Sequence, residues 1–257
     1  MFGAKLTAAS GLTNQQRRLD VIANNVANVN TIGFRGTRVD FQDAMYQTGV
    51  VPGRARTPGG NQQRGHGVLT AGVTRDFQSG ALQMTERNLD VAINGEGFFT
   101  LGDLEGNLFY TRNGAFQISE EGGQRFLVNG NGLYILDTDG LRIEIPLDAQ
   151  GIFIDQQGGV RFSETDDEPA LTLAVYTFRN KMGLYAGGNG AFIESVASGE
   201  RIPASGAEVI QGSLEMSNVD LSEQMTLMIR TQRAFQLASR ALTTADEMEG
   251  IANNMRR

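Results

Sequence analysis

The sequence predicts an α+β protein. A long α-helix is expected at each end of the chain, and the two helices should pair as a coiled-coil-like core domain. The sequence between them should form an antiparallel all-β domain of the sandwich or barrel type. Two observations support this: apolar stripes with helical spacing at both ends, and short strand-like runs between glycines in the middle. A third is an extended connector rich in Gly, Pro and Arg. The predicted boundaries are 1–33 and 218–257 for the helical core, 34–80 for the connector and 81–217 for the β domain.

The opening stripe repeats apolar side chains at alternating spacings of three and four, a pattern typical of a helix face that packs on another helix. Gln15 interrupts the stripe once. Asparagines near its end allow two roles: they end the helix before Gly33, or they form hydrogen bonds between subunits. The stripe consists of Ala8, Leu12, Leu19, Ile22, Val26 and Val29, and the asparagines are Asn24, Asn25, Asn28 and Asn30.

The connector contains the segment of the chain that most resembles a linker. Residues 47–67 hold two prolines, six glycines and three arginines with few apolar side chains, so we expect them to be extended. A second irregular segment, about 180–212, is divided by glycines and joins the β domain to the closing helix.

The middle of the chain predicts antiparallel β structure. Glycine accounts for 33 of 257 residues and divides the sequence into short apolar runs, with turn signals every eight to twelve residues. No alternation of strands with helices suggests a parallel sheet. The predicted runs are Leu89–Ile93, Gly97–Leu101, Leu108–Thr111, Arg125–Val128, Leu133–Leu136, Leu141–Ile145, Gly151–Ile154, Val160–Phe162 and Leu171–Phe178.

The closing stripe is longer than the opening one. Asp220 and Glu223 have the spacing of a helix N-cap, and Arg256 and Arg257 supply positive charge at the helix C-terminus. The stripe consists of Leu221, Met225, Met228, Phe235, Ala238, Leu242, Ala245, Met248, Ala252 and Met255.

Composition argues against several kinds of chemistry. The chain has no cysteine and a single histidine, His66, which excludes disulfides, thiolate sites and multi-histidine metal sites. The acidic clusters Asp137 with Asp139, and 164–168, lack the spacing of a calcium loop. We therefore predict no catalytic residues, no metal site and no cofactor.

Charge and hydropathy limit the partners. The net charge is −7, and residues 81–217 hold twenty acidic and eight basic side chains, a balance unlike that of a nucleic-acid-binding surface. We also expect neither a secretory signal nor a membrane-spanning helix, because no apolar run is long enough. A protein of this kind would leave the cytoplasm by another route.

Six segments carry a resemblance to a known family, and the N-terminal one lies at residues 23–36. The others are 39–48, 80–99, 110–116, 211–225 and 231–248. In this order they resemble the axial proteins of the bacterial flagellum, the rod and hook family. Residues 39–48 and the arginine-glycine-proline stretch after them most resemble distal rod members, with proximal rod members as the alternative.

The resemblance implies a subunit that is exported unfolded by the flagellar type III apparatus and polymerises into a hollow helical rod that transmits torque. Implied partners are copies of the chain itself, the proximal rod and hook proteins, the export apparatus and rings around the rod. From the stripes we predict an assembly interface that comprises Leu12, Leu19, Ile22, Asn25, Val26, Asn28, Met225, Met228, Phe235 and Leu242. A different class stays open, namely a secreted β-domain hydrolase or glycan-binding module.

Overall fold

A computed structural model describes residues 2–45, 47–49, 62–65, 67–163 and 168–255. Two α-helices lie at the ends of the chain: α1, Phe2–Ala27, and α2, Leu221–Met255. A short 3-10 turn spans Lys181–Gly183. The strands are β1 Thr37–Asp43, β2 Gln47–Gly49, β3 Gln62–Arg64, β4 Val68–Arg75, β5 Leu82–Met84, β6 Val91–Asn94, β7 Phe98–Gly102, β8 Leu108–Thr111, β9 Phe116–Glu121, β10 Gln124–Asn129, β11 Tyr134–Ile135, β12 Glu144–Ile145, β13 Phe153–Ile154, β14 Gly159–Arg161, β15 Leu171–Thr172, β16 Val175–Phe178, β17 Tyr185–Gly188, β18 Ala191–Ile193, β19 Arg201–Pro203, β20 Glu208–Gln211 and β21 Ser213–Glu215.

The chain forms two compact units. The helical unit consists of Met1–Ala27, Thr37–Asp76 and Asp220–Arg257, and the β unit consists of Asn28–Gly36 and Phe77–Val219. The predicted terminal helices and central antiparallel β domain are confirmed. No helix in the described part of the chain is both long and apolar enough to cross a membrane.

In the helical unit, α1 packs against α2 and against a two-stranded antiparallel ribbon formed by β1 and β4. The start of α2 follows the predicted N-cap, since the Asp220 carboxylate accepts hydrogen bonds from the backbone amides of Ser222 (2.7 Å) and Glu223 (3.2 Å). Arg256 and Arg257, predicted to favour the helix C-terminus, lie outside the described residues.

The ribbon occupies part of the segment that the sequence analysis assigned to an extended connector. β1 and β4 pair in register except for an irregularity between Asp40 and Phe41. The Asn14 amide of α1 donates to the Val68 carbonyl (2.5 Å), and its oxygen accepts from the Thr70 hydroxyl (2.6 Å). Polar side chains thus help to join the ribbon to α1. Most of the predicted linker, 50–61 and His66, lies outside the described residues.

The β unit is built on a ten-stranded antiparallel sheet. Its main path runs β12-β10-β11-β7-β8-β18-β17, with β9 paired to β10, β16 to β7 and β19 to β16. Beside it are the three-stranded sheet β13-β14-β15 and the two-stranded ladders β6-β20 and β5-β21. The predicted run 171–178 divides into β15 and β16, because Leu173 instead forms an isolated bridge with Asp137.

Two large apolar clusters and a small third one, Phe126 with Val128 and Tyr134, fill the β unit. The largest one includes Val91, Phe99, Phe116, Leu127 and Ile135, all 1 % exposed or less. Phe99 and Phe116 meet edge to face, with ring centroids 5.1 Å apart. The second cluster is largely aromatic and contains Phe98, Tyr110, Phe178, Leu184 and Phe192. Several sheets contribute side chains to the same core, and the short strands are therefore well packed.

We expect Phe99→Ala to lower the free energy of unfolding of the β unit by about 3–5 kcal/mol, because it removes a fully buried ring and leaves a cavity. Chemical denaturation followed by circular dichroism measures the change. Leu104→Ala, at an exposed leucine of the same unit, is the control and should stay within about 0.5 kcal/mol of wild type. Equal effects of the two substitutions would contradict the core assignment.

Candidate functional site

The described residues do not gather a cluster of metal ligands. No group of three or more His, Cys, Asp or Glu side chains among them could hold a metal ion. Asp137, from one predicted acidic cluster, is buried, and its carboxylate accepts hydrogen bonds from the backbone amides of Thr138 (2.5 Å) and Thr172 (3.1 Å). Asp137 thus has a structural role. Most of the other cluster, residues 164–167, lies outside the described part of the chain.

The helix pair is antiparallel, as contacts at its two ends show. At one end, Lys5 of α1 forms ion pairs with Asp246 (2.5 Å) and Glu249 of α2. At the other, the Asn25 amide donates to the Gln224 side-chain oxygen (3.2 Å). Hydrogen bonds from the ammonium group to the two carboxylates raise the pKa of Lys5.

The covered side of α2 has a regular spacing. Its less exposed positions recur every three or four residues, and the only fully buried side chain described on it is Thr231, whose hydroxyl donates to the Leu227 carbonyl (2.7 Å). The central line of these positions is Gln224, Met228, Thr231, Phe235, Ala238, Leu242, Ala245 and Glu249, and Leu227, Ala234 and Ser239 beside it are also half-buried. Polar residues therefore occupy both ends and one central position of that line.

The structure divides the ten residues predicted as an assembly interface. Most lie on covered surface within the chain: Ile22 and Asn25 are buried, and half-buried are Leu12, Leu19, Val26, Met228, Phe235 and Leu242. Asn28 is half-buried and belongs to the β unit. Only Met225 is exposed.

A second apolar stripe follows the outer side of α2. Its side chains are between 43 % and 79 % exposed, and several are spaced three or four residues apart. We call this set the outer stripe; it consists of Leu221, Met225, Ile229, Leu237, Met248, Ile251 and Met255. A helix in a self-sufficient domain turns such residues toward the core, so this surface suits a partner.

Asn25 fixes the position where α1 meets the ribbon. Its side-chain amide donates to the Thr37 carbonyl (2.7 Å), and its oxygen accepts from the Thr37 backbone amide (2.9 Å). The same amide also reaches Gln224 of α2. One buried asparagine thus joins α1, β1 and α2, because its side chain both donates and accepts.

The β unit contains a buried ionic cluster that the sequence analysis missed. The Glu215 carboxylate accepts from Arg35 Nη2 (2.7 Å) and from Arg112 Nη1 (3.0 Å), and it also accepts from the Gly80 backbone amide (2.9 Å). Arg112 further donates to the carbonyls of Ile93 and Gly95. The side chains of Arg35 and Glu215 are 0 % exposed. We call these three charged residues the buried cluster.

Backbone contacts hold the same place together. The Gly33 amide donates to the Glu215 carbonyl (2.8 Å), and the Gly36 amide donates to the Asn218 side-chain oxygen (2.8 Å). Gly33 has φ +67°, and a Cβ there would lie 2.7 Å from the Arg112 backbone. Segments 28–36 and 213–219 are therefore fixed side by side in the β unit.

Electrostatics explain why the cluster is needed as a whole. Burial lowers the pKa of the Arg112 guanidinium, and the neighbouring Glu215 carboxylate opposes that shift. Arg35 and Glu215 lie 180 positions apart, so no local pattern connects them. Glu215 is the last residue of the short strand β21, Ser213–Glu215, which is buried throughout, and a carboxylate buried there must be paired.

Comparisons with known proteins place the chain among flagellar proteins. Three family models match: "Flagella basal body rod protein" at residues 6–35, "Flagellar hook protein FlgE/F/G D1 domain" at 92–162, and "Flagellar basal body rod FlgEFG protein C-terminal" at 210–255. The flagellar basal-body rod proteins FlgG of Borreliella burgdorferi and Bacillus subtilis are 40% and 38% identical to it over the full length of both chains. The flagellar hook-basal body complex protein FlhP of Bacillus subtilis is 32% identical, also over the full length.

We expect Glu215→Gln to destabilise the β unit by about 3–5 kcal/mol, since it leaves two buried guanidinium groups without a carboxylate. Denaturant unfolding measures the loss. Glu208→Gln is the matched control, because Glu208 is exposed and its carboxylate bonds only to the Asn94 amide among the described contacts. Similar stabilities for both variants would contradict the role of the buried cluster.

Gly33→Ala should also destabilise the β unit, by more than about 1 kcal/mol, because the new Cβ meets backbone atoms and the φ angle disfavours alanine. Gly130→Ala is the control, since no atom lies within 4 Å of a Cβ at that position. Thermal unfolding of the two variants gives the comparison. A neutral Gly33→Ala would show that the two segments are not closely packed.

Proposed function

The chain belongs to the flagellar basal-body rod protein family, and from that premise we propose that it is a structural subunit of the distal rod, which assembles with copies of itself into a hollow helical tube. The tube transmits torque from motor to hook and lets exported subunits pass. The outer stripe on α2 is the observation that carries the polymer role. A helix that already packs on α1 still presents seven large apolar side chains to solvent.

The energetics favour contact between copies. Covering one such side chain fully contributes about 1.5–3 kcal/mol, and a polymer repeats that gain in every subunit. The heptad-like spacing of the covered side of α2 supports a coiled-coil-like pair with α1, whose other faces then meet neighbouring pairs. A contact between different faces of identical subunits that does not close on itself generates a helical tube.

The ten residues predicted as an interface divide into two roles in this proposal. Met225 contacts other copies directly. The half-buried and buried members, such as Leu19 and Phe235, hold α1 against α2 and so shape the surface that neighbours meet. Asn25 acts within the chain, through Thr37 and Gln224, rather than across subunits.

Distal rather than proximal rod identity rests on the rod proteins named FlgG, which match over the full chain. The partners we propose are the proximal rod and hook proteins at the ends of the rod, the type III export apparatus during delivery, and the rings around the rod. The family assignment does not favour a hydrolase or glycan-binding module, and we propose no enzymatic activity.

Leu237→Asp, in the middle of the outer stripe, should leave the folded subunit intact and abolish rod assembly, because it places a charge in the contact between copies. Circular dichroism of the purified chain checks folding, and electron microscopy of basal bodies from cells that carry the variant checks assembly. Leu104→Asp, at a leucine of similar exposure in the β unit, is the control and should assemble. Normal rods and normal swimming with Leu237→Asp would refute the assignment of the stripe.

Phe235→Asp should act differently, because Phe235 lies on the covered side of α2. We expect it to abolish assembly and also to separate the helices, while the β unit stays folded. Hydrogen exchange measured by mass spectrometry should therefore show faster exchange in α1 and α2 but unchanged protection in β7 and β10. Protection of both helices equal to wild type would contradict this assignment.

A further inference from the structure

Four strands of the ten-stranded sheet have a single partner among the described strands, namely β9, β12, β17 and β19, and two of these edges, β9 and β17, differ in their properties. Among the described strands, β9 pairs only with β10 and β17 only with β18, so each leaves one row of backbone groups without a sheet partner. Exposed edges are places where another chain adds on. β17 also lies outside the three segments matched by family models, whereas β9 lies inside one of them.

The β17 edge carries an exposed apolar group. Tyr185 is 69 % exposed and sits opposite Ile193 in the ladder, which is also exposed. Met182, in the adjoining 3-10 turn, and Val196, after β18, add two more exposed apolar side chains. We call these four exposed residues the β17 knob.

The β9 edge offers a matching recess. A cavity of about 190 Å³ lies there, with walls that include Leu89, Ile118, Ile145 and Ile152. Arg125 also lines it, and Arg125 Nε is buried with no hydrogen-bond partner among the described atoms. The recess is largely apolar, with Asn88 and Arg125 as its polar lining, which suits a side chain with an apolar body and a polar tip.

The charges of the two edges are complementary. Residues 179–203, around β17, carry three basic and two acidic side chains, whereas residues 116–148, around β9 and β12, carry six acidic and two basic ones. The β9 edge of one copy would be repelled by the same edge of another, but it attracts the β17 edge. A contact between different edges of identical chains runs head to tail, as a polymer requires.

We propose that neighbouring copies in the rod meet through these two edges, with Tyr185 of one copy inserted into the Ile118–Arg125 recess of the next. The ring fills the apolar space, and the tyrosine hydroxyl lies beside the Arg125 side chain. This inference rests on the proposed rod function, but it concerns the β unit and not the outer stripe on α2.

The absence of cysteine from the chain allows a direct test. The double variant Ile118→Cys with Tyr185→Cys, expressed in place of the wild-type gene in its native cells, should give a ladder of covalent multiples after oxidation of isolated rods, since a disulfide requires Cα atoms within about 7 Å. Each single cysteine variant is the control and should give no ladder. The purified monomeric double variant should give no cross-link either. Normal rods of the double variant without a ladder overturn the proposal.

A second pair of variants tests the contact between the two edges if the cysteine pair impairs assembly. Tyr185→Glu should abolish rods, because a carboxylate would enter an apolar recess on an acidic edge, whereas Tyr185→Phe should still build them. Normal rods with Tyr185→Glu overturn the edge contact and leave the proposed function intact. Absence of the wild-type chain from isolated rods overturns the proposed function itself and this inference with it.

Discussion

The β unit depends on one buried carboxylate. Glu215 lies between Arg35, from the segment after α1, and Arg112, the residue that follows β8. A buried guanidinium without a counter-charge costs free energy, so each arginine can be buried at this position only when Glu215 is present. Closing the long loops between these residues costs chain entropy, which only the complete packing of the unit offsets. The segments that lead to α1 and leave toward α2 are therefore fixed by the same contact that completes the β core.

The two units present different kinds of surface. The β unit buries three apolar clusters of its own, whereas α2 of the helical unit buries little and leaves a row of large apolar side chains in solvent. Fully buried residues on α2 are also few, Thr231 being the only one described. Stability of the helices should accordingly depend on neighbouring copies more than stability of the strands does.

Charge separates the units as well. The helical unit contains thirteen basic and nine acidic side chains, and the β unit contains nine basic and twenty acidic ones. Packing many copies of an acidic β unit side by side raises the electrostatic repulsion between them. Contacts between copies are therefore favourable only where an acidic surface of one copy meets a less acidic surface of the next. The β17 edge is such a less acidic surface. For contacts between copies, the position of the charges within the sheet therefore matters as much as the net charge of the β unit.

The sequence by itself determined the two terminal helices, the N-cap at Asp220, the antiparallel β class and the family, because each follows from local spacing or from contiguous motifs. It did not determine which residues of a stripe face the chain's own partner helix and which face outward: Phe235 and Leu237 are two positions apart, and only packing places the first on the covered side and the second in solvent. The ribbon of β1 and β4 was equally hidden, since polar contacts through Asn14 hold it to α1. The tertiary structure alone decided the buried cluster and the two sheet edges, because these join residues whose proximity depends on how distant strands pair.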